Sequence, residues 1–143
     1  GDNIAKVQLL KYLSPSENLV YSFIDSHWPV ANRDLVTYSC YTKRSALQTQ
    51  LSIHARPDFL PQTKGVVRIS TLNATWLLTQ QANNLHIDYQ VYALPGGSIP
   101  NWLNNRVALK STFNTLINLA EILTTKQYTA KPTVIRTGNC THS

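Results

Sequence analysis

The stretch SIPNWLNNRVALKSTFNTLINLAEILTT, from Ser98 to Thr125, decides the predicted fold of this chain. Placed on a period of about 3.6 residues, its large apolar side chains gather on one face and its asparagines lie on the other. Ser98 is a suitable N-cap, and Pro100 falls in the first turn, where a missing N–H group costs nothing. The stretch is therefore predicted to form one amphipathic helix, roughly 40 Å long at about 1.5 Å per residue.

A helix of this length needs a surface to lie along, and the sequence before it is typical of strands. Ile4 to Leu13 fits either a helix or a strand alone, but the turn residues after it favour a hairpin. The predicted strands are Ile4 to Leu13, Asn18 to Asp25, Arg33 to Lys43, Ala46 to Arg56, Val66 to Gln81 (one long strand or a bent pair) and Leu85 to Leu94. Strands followed by one long helix predict an α+β domain in which a curved antiparallel sheet wraps around a C-terminal α-helix.

The remaining segments set the predicted domain limits. Residues 1–126 are expected to form one domain, and residues 127–143 a tail, because the amphipathic pattern stops after Thr125. The segment from Pro57 to Gly65 contains two prolines and a glycine, which predicts a loop.

Composition narrows the function classes. The chain carries a net charge of +6, but its lysines and arginines are scattered, so nucleic-acid binding is not expected. The same charge suits transient contact with an anionic membrane surface or a plain solvated surface. The longest apolar runs fall far short of the roughly 20 residues that a membrane-spanning helix needs.

The two cysteines, Cys40 and Cys140, have no metal-ligand spacing and form no dense disulfide framework. A reducing compartment is the default interpretation. No signal peptide follows Gly1, so a cytoplasmic location is favoured.

Three separated segments resemble the START lipid-transfer domains in order and approximate spacing. They are Trp28 to Val30 with Asn32 to Val36, Gly65 to Arg68, and Gly96 to Leu103. The resemblance implies a helix-grip fold, with a tunnel for one lipid or sterol between the sheet and the C-terminal helix. It also implies that the N-terminal helix and first strands of a complete START domain are missing from this sequence.

The tunnel wall is predicted from strand alternation. In the third strand Leu35, Thr37, Ser39 and Tyr41 alternate with Val36, Tyr38 and Cys40, and periodicity alone does not decide which set points inward. The resemblance favours the odd-numbered set, because some sterol-carrying relatives place an arginine at the position of Ser39. The predicted ligand-binding residues are Ser22, Ile24, Thr37, Ser39, Tyr41, Thr71, Trp76, Tyr89, Val91, Arg106, Leu109, Phe113, Leu116, Ile117 and Ala120. Ordinary core packing is the alternative for each.

Charged residues divide into two groups. Arg106 lies inside the apolar stripe of the predicted helix, where it would either bind an anionic lipid head or reach the edge of the stripe and pair with a protein acid. Arg33, Asp34 and Arg68 match positions typical of the family, and we expect them to be structural. The adjacent charges of Arg33 and Asp34, at the start of a strand, would hold the loop that contains Trp28 in place. Arg68 would hydrogen-bond to backbone groups or pair with an acid across the sheet.

Catalysis is not predicted. His86 and Asp88 share a strand face but lack a nucleophile in a suitable context, and no metal-ligand or phosphate-loop motif is present, so neither a cofactor nor a metal is expected. The sequence therefore predicts non-catalytic binding and transfer of a lipid or another hydrophobic small molecule. Two alternatives stay open. One is an enzyme similar to polyketide cyclases, using Tyr41, Tyr89 and Arg106. The other is an interaction module that pairs with a partner or a second copy through an exposed sheet edge.

Overall fold

The computed structural model of the chain describes residues 4–26, 29–97 and 135–143. The predicted helix from Ser98 to Thr125 and the Trp28 side chain lie outside these residues. The described strands are β1 (Ile4–Ser14), β2 (Glu17–Ile24), β3 (Arg33–Ser45), β4 (Gln48–Ala55), β5 (Val67–Arg68), β6 (Thr71–Gln81) and β7 (Asn84–Leu94).

These strands form one sheet in the order β1-β2-β3-β4-β6-β7, with all neighbours in that path antiparallel. The short β5 pairs in parallel with the start of β3. Two-residue turns join β1 to β2, β3 to β4 and β6 to β7, because Pro15-Ser16, Ala46-Leu47 and Ala82-Asn83 each separate two runs of alternating residues. The predicted meander is confirmed, and the segment from Val66 to Gln81 proves to be the bent pair, split into β5 and β6.

The pairing register sorts the side chains onto two faces, since residues directly opposite each other in neighbouring strands point the same way. Face A carries Ser39 together with its partners Asn18 and Ile53, and face B carries Tyr38 together with Leu19 and His54. The pairs from β2 to β7 keep this assignment with no shift except at the end of β3, next to the β3–β4 turn.

The most deeply buried apolar side chains lie on face B. Leu19, Val36, Tyr38 and Cys40 are all 1% exposed or less. Leu10, Leu13 and Cys140 pack against the cluster of Leu19, Tyr38 and Cys40. The even-numbered residues of β3 thus form the tightest described core, and the odd-numbered residues face the opposite side of the sheet.

Candidate functional site: an apolar sheet face

Face A is built from rows of side chains that cross the sheet. One row runs from Tyr41 through Leu51 and Trp76 to Tyr89, and the rings of Trp76 and Tyr89 stack with their centroids 4.1 Å apart. The next row runs through Ser39, Ile53, Ala74 and Val91. Because both rows cross four strands without a register shift, they make a continuous surface of aromatic and aliphatic groups with a few hydroxyls.

The predicted wall residues in the described strands share this face, with one exception. The register places these side chains on face A: Ser22, Ile24, Thr37, Ser39, Tyr41, Trp76, Tyr89 and Val91. Thr71 was assigned to the wrong face. β6 runs without a bulge against β4 and β7, so residues 71 and 76, an odd number of positions apart, must point to opposite sides.

The helical part of the predicted site is not described. Arg106, Leu109, Phe113, Leu116, Ile117 and Ala120 fall between residues 97 and 135, so their placement stays a prediction.

The sequence-based prediction missed Leu51 and Ile53, which lie directly opposite Tyr41 and Ser39 on β4. Part of the signal was present, because these two apolar residues alternate with polar ones between Gln50 and His54 and so share one face. Counting outward from the two-residue turn would have paired Leu51 with Thr42, because the register shifts by one residue between Lys43 and Ser45.

Burial raises the pKa of the Tyr89 phenol on face A.

The guanidinium of Arg33 ties the sheet to its loops. Arg33, at the start of β3, donates from Nε to the Pro95 carbonyl at 2.9 Å, from Nη2 to the Gly96 carbonyl at 2.9 Å and from Nη1 to the Ala31 carbonyl at 2.7 Å. This guanidinium therefore joins the end of β7 to the loop before β3, which confirms a structural role.

Asp34 and Arg68 form a buried ion pair on face B. Arg68 donates from Nε to Asp34 Oδ1 at 2.6 Å and from Nη2 to Oδ2 at 3.0 Å, and both side chains are at most 2% exposed. The remaining guanidinium protons bind the carbonyls of Pro57, Leu60 and Pro61. The hydrogen bond to Asp34 raises the pKa of Arg68. The prediction for Arg68 is confirmed, because it binds an acid and backbone carbonyls. Through Arg68, Asp34 holds the Pro57–Pro61 loop to the sheet, whereas the sequence had assigned it to the loop that contains Trp28.

Residues 135–143, which we call the strap, lie against face B. A disulfide joins Cys40 of β3 to Cys140, and the Gly138 amide donates to the Tyr41 carbonyl at 3.0 Å. Gly138 has no room for a side chain, since a Cβ there would lie 2.7 Å from Ser16 Oγ. The expectation of cysteines in a reducing compartment did not anticipate this bond, because the two residues are 100 positions apart and only the fold brings them together.

Glu17 is the polar centre beneath the strap. Its carboxylate is fully enclosed and accepts hydrogen bonds from the Tyr38 hydroxyl, from the His142 amide at 2.8 Å and from the Thr141 hydroxyl at 3.4 Å, while His142 Nδ1 lies 2.9 Å from Oε2. Burial alone would raise the pKa of Glu17, but the hydrogen bonds from Tyr38, Ser14 and His142 outweigh it and hold that pKa well below its ordinary value of 4.5.

A cavity of about 630 Å³ opens where the strap meets the end of the sheet. It is lined by Tyr12, Ser14, Pro15, Ser16, Asn18, Tyr41, Ile135 and Arg136. Asn18 and Tyr41 belong to face A, and Ile135 and Arg136 belong to the strap. The cavity thus has one wall that the strap supplies.

Three other features bear on function, namely groups that could bind a metal ion, the His86–Asp88 pair and membrane-spanning helices. Within residues 4–26, 29–97 and 135–143, no group of histidine, cysteine and acidic side chains could hold a metal ion. His86 and Asp88 lie on face B and are exposed. No helix within the described residues is long and apolar enough to cross a membrane.

Comparisons with known proteins show which sequences and solved structures the chain resembles. No family model matches the chain. It is 34% identical over 116 residues to an uncharacterized protein of Pseudomonas aeruginosa, an alignment that covers 80% of this chain and 57% of the relative. The solved structure of a fragment of the STAR-related lipid transfer protein from Xanthomonas axonopodis is 36% identical, has a TM-score of 0.69, and is matched over 80% of this chain and 64% of that one.

A second solved structure shows the same fold at lower identity. Human STARD10 is 20% identical with a TM-score of 0.68, and the match covers 88% of this chain and 54% of that chain. The chain therefore spans less than two thirds of the relatives it matches. The antiparallel meander and the likeness to both solved structures lead to one conclusion: the chain has a START-like fold.

Proposed function

We propose that this chain binds and transfers one hydrophobic ligand, a lipid or sterol-like molecule, in a tunnel between face A and the predicted helix from Ser98 to Thr125. The observation that carries the proposal is the continuous apolar surface of face A, with the Trp76–Tyr89 stack at its β6–β7 side. The 36% identity to a STAR-related lipid transfer protein supports it.

The energetics of such a site require few polar contacts. Burial of a lipid tail gains about 0.8 kcal/mol per methylene, so a tail of roughly fifteen methylenes gains on the order of 12 kcal/mol. Face A supplies mostly carbon atoms with occasional hydroxyls from Ser39, Thr37 and Tyr41, as hydrophobic ligand sites commonly do.

The proposal is tested by two neighbouring substitutions on the edge strand β7. Val91 lies on face A and Gln90 on face B, and both side chains are exposed, so each position tolerates an aspartate without a large folding cost. We expect native mass spectrometry of the purified protein to detect bound lipid, Val91→Asp to lose it and Gln90→Asp to keep it. Equal retention by both variants would contradict a ligand on face A.

Transient contact with a membrane is part of this proposal. Phe59, on the loop that Arg68 holds, is 45% exposed, and an exposed aromatic ring of this kind suits insertion at a membrane interface. We expect Phe59→Ser to slow lipid transfer between vesicles while lipid retention stays constant. A transfer rate equal to that of the wild type would remove Phe59 from the membrane-contacting surface.

A non-catalytic role is favoured over a cyclase. Tyr41 and Tyr89 share face A, but β4 and β6 separate their strands, which puts their backbones about 14 Å apart at the usual strand spacing. Side chains so far apart do not converge on one reacting atom. Incubation with a poly-β-keto thioester is expected to give no cyclised product above the uncatalysed rate.

The disulfide leads us to propose an oxidising compartment in place of the cytoplasmic location that the sequence favoured. Disulfides between structural cysteines persist outside the reducing cytosol. We expect a maleimide reagent, added to the source cells at lysis, to leave Cys40 and Cys140 unmodified unless a reductant is added first. Modification without reductant would restore the cytoplasmic location.

A second candidate function, self-association through a sheet edge, is supported by the contrast between the two edge strands. β1 carries two lysines and three register shifts, devices that discourage pairing, whereas β7 has no lysine, arginine or proline and no register shift. Tyr92 on β7 and Tyr12 on β1 are similarly exposed. If copies pair through β7, Tyr92→Lys will weaken the association measured by sedimentation, and Tyr12→Lys will not.

A further inference from the structure

Within the part of the chain that the structure describes, the strap has few contacts other than its disulfide. All of its residues except Cys140 are exposed. Its other attachments to the described strands and loops are the Gly138–Tyr41 backbone hydrogen bond, the hydrogen bonds of Thr141 and His142 to Glu17, and a bond from Arg56 to the His142 carbonyl. Short exposed segments with so few buried contacts open readily, so the covalent bond decides whether the strap stays in place.

The two cysteine residues differ in burial. Cys40 is fully buried in strand β3, and Cys140 is only partly buried in the strap. A thiolate of a dithiol reductant would attack Cys140 Sγ, forming a mixed disulfide and expelling Cys40 as a thiolate. The second thiol of the reductant then displaces Cys140. The reductant becomes a disulfide, two electrons enter the protein, and both cysteines take up protons.

Release of the strap removes one wall of the cavity. Ile135 and Arg136 line that cavity opposite Tyr12, Asn18 and Tyr41, and Tyr41 belongs to the same face A row as Trp76 and Tyr89. We propose that residues 135–143 form a redox-controlled strap, which closes the end of the apolar face while the Cys40–Cys140 bond is intact and opens it when a dithiol reduces that bond. The part of this proposal that concerns ligand access rests on the proposed function.

Hydrogen exchange on the wild-type chain tests the release without any ligand. The amides of Gly138 and His142 report on the strap, and the amides of β3 and β4 serve as internal references. After reduction we expect the two strap amides to exchange roughly 100-fold faster than in the oxidised protein, and faster than the β3 and β4 amides of the reduced protein, which exchange only when the sheet opens. Unchanged strap amides would overturn the proposal. So would strap amides that become only as fast as the reference amides of the reduced protein, because the strap would then open only together with the whole fold.

A matched pair of variants separates the strap from the loss of cysteine side chains. The double variant Cys40→Ser, Cys140→Ser should exchange its strap amides rapidly with or without a dithiol, and the wild type only with it. Should the double variant fail to fold, the wild-type measurement decides alone.

Ligand access is measured separately with a fluorescent acyl-chain phosphatidylcholine loaded from vesicles. Reduction is expected to raise its off-rate roughly tenfold. An unchanged off-rate would refute control of access while the exchange result still decides release. Failure of the oxidised protein to take up any lipid would instead count against the proposed function.

Discussion

Single side chains carry most of the polar organisation of this domain, and the Asp34–Arg68 pair is the most buried example. Asp34→Ala would leave the Arg68 guanidinium enclosed without its carboxylate, and such a loss costs about 3 to 5 kcal/mol. We expect urea unfolding at neutral pH to report a decrease of that size. Asp88→Ala, at an exposed position, is the control and should change the free energy of unfolding by less than about 0.5 kcal/mol. Equal effects would mean that Asp34 is not needed to balance Arg68.

Glu17 gives a pH prediction at the same scale. Its folded-state pKa is depressed, so its contribution to stability is fully present above the ordinary carboxyl value near 4.5 and is lost as the pH falls through the lower folded-state value. Between pH 7 and pH 3, the free energy of unfolding should therefore fall more for the wild type than for Glu17→Gln. Parallel pH profiles would contradict the hydrogen bonds assigned to this carboxylate.

At the scale of elements, the end of β7 depends on a glycine. Gly97 has φ of +70°, and a Cβ there would lie 3.2 Å from the Val67 side chain, whereas Gly65, with φ of +81°, has nothing within 4 Å. Either glycine-to-alanine change costs about 1 kcal/mol through the backbone. Gly97→Ala should cost more, because Val67 must also move. Comparison of the melting temperatures of the two variants tests this. An equal decrease would show that the Val67 side chain moves aside without an energetic cost.

At the scale of the whole molecule, the disulfide closes a loop of 100 residues. Chain entropy alone predicts about 4 to 5 kcal/mol of stabilisation for a loop of this length. Cys40→Ser with Cys140→Ser should therefore lower the urea midpoint substantially, and dithiothreitol should have no further effect on that variant. An unchanged midpoint would mean that the unfolded chain is already compact, so that closing the loop removes little of its conformational entropy.

Much of the described architecture follows from local pattern. Alternation in Asn18 to Asp25, Arg33 to Lys43 and Leu85 to Leu94, with turn residues between them, predicted the strands of the meander to within a few residues. The same alternation placed most of the described wall residues together. It was misapplied at Thr71, because Thr71 and Trp76 lie five positions apart in the same unbroken strand and so point to opposite faces.

By itself the sequence determined which segments are strands and which side chains alternate, because these properties depend on neighbours two to four positions apart. Tertiary structure alone decided that Tyr38 and Cys40 face the strap, that Leu51 and Ile53 complete the row beside Tyr41, and that Cys40 meets Cys140. Those outcomes depend on the register between strands and on contacts as much as 100 residues apart in the chain, which no local periodicity encodes.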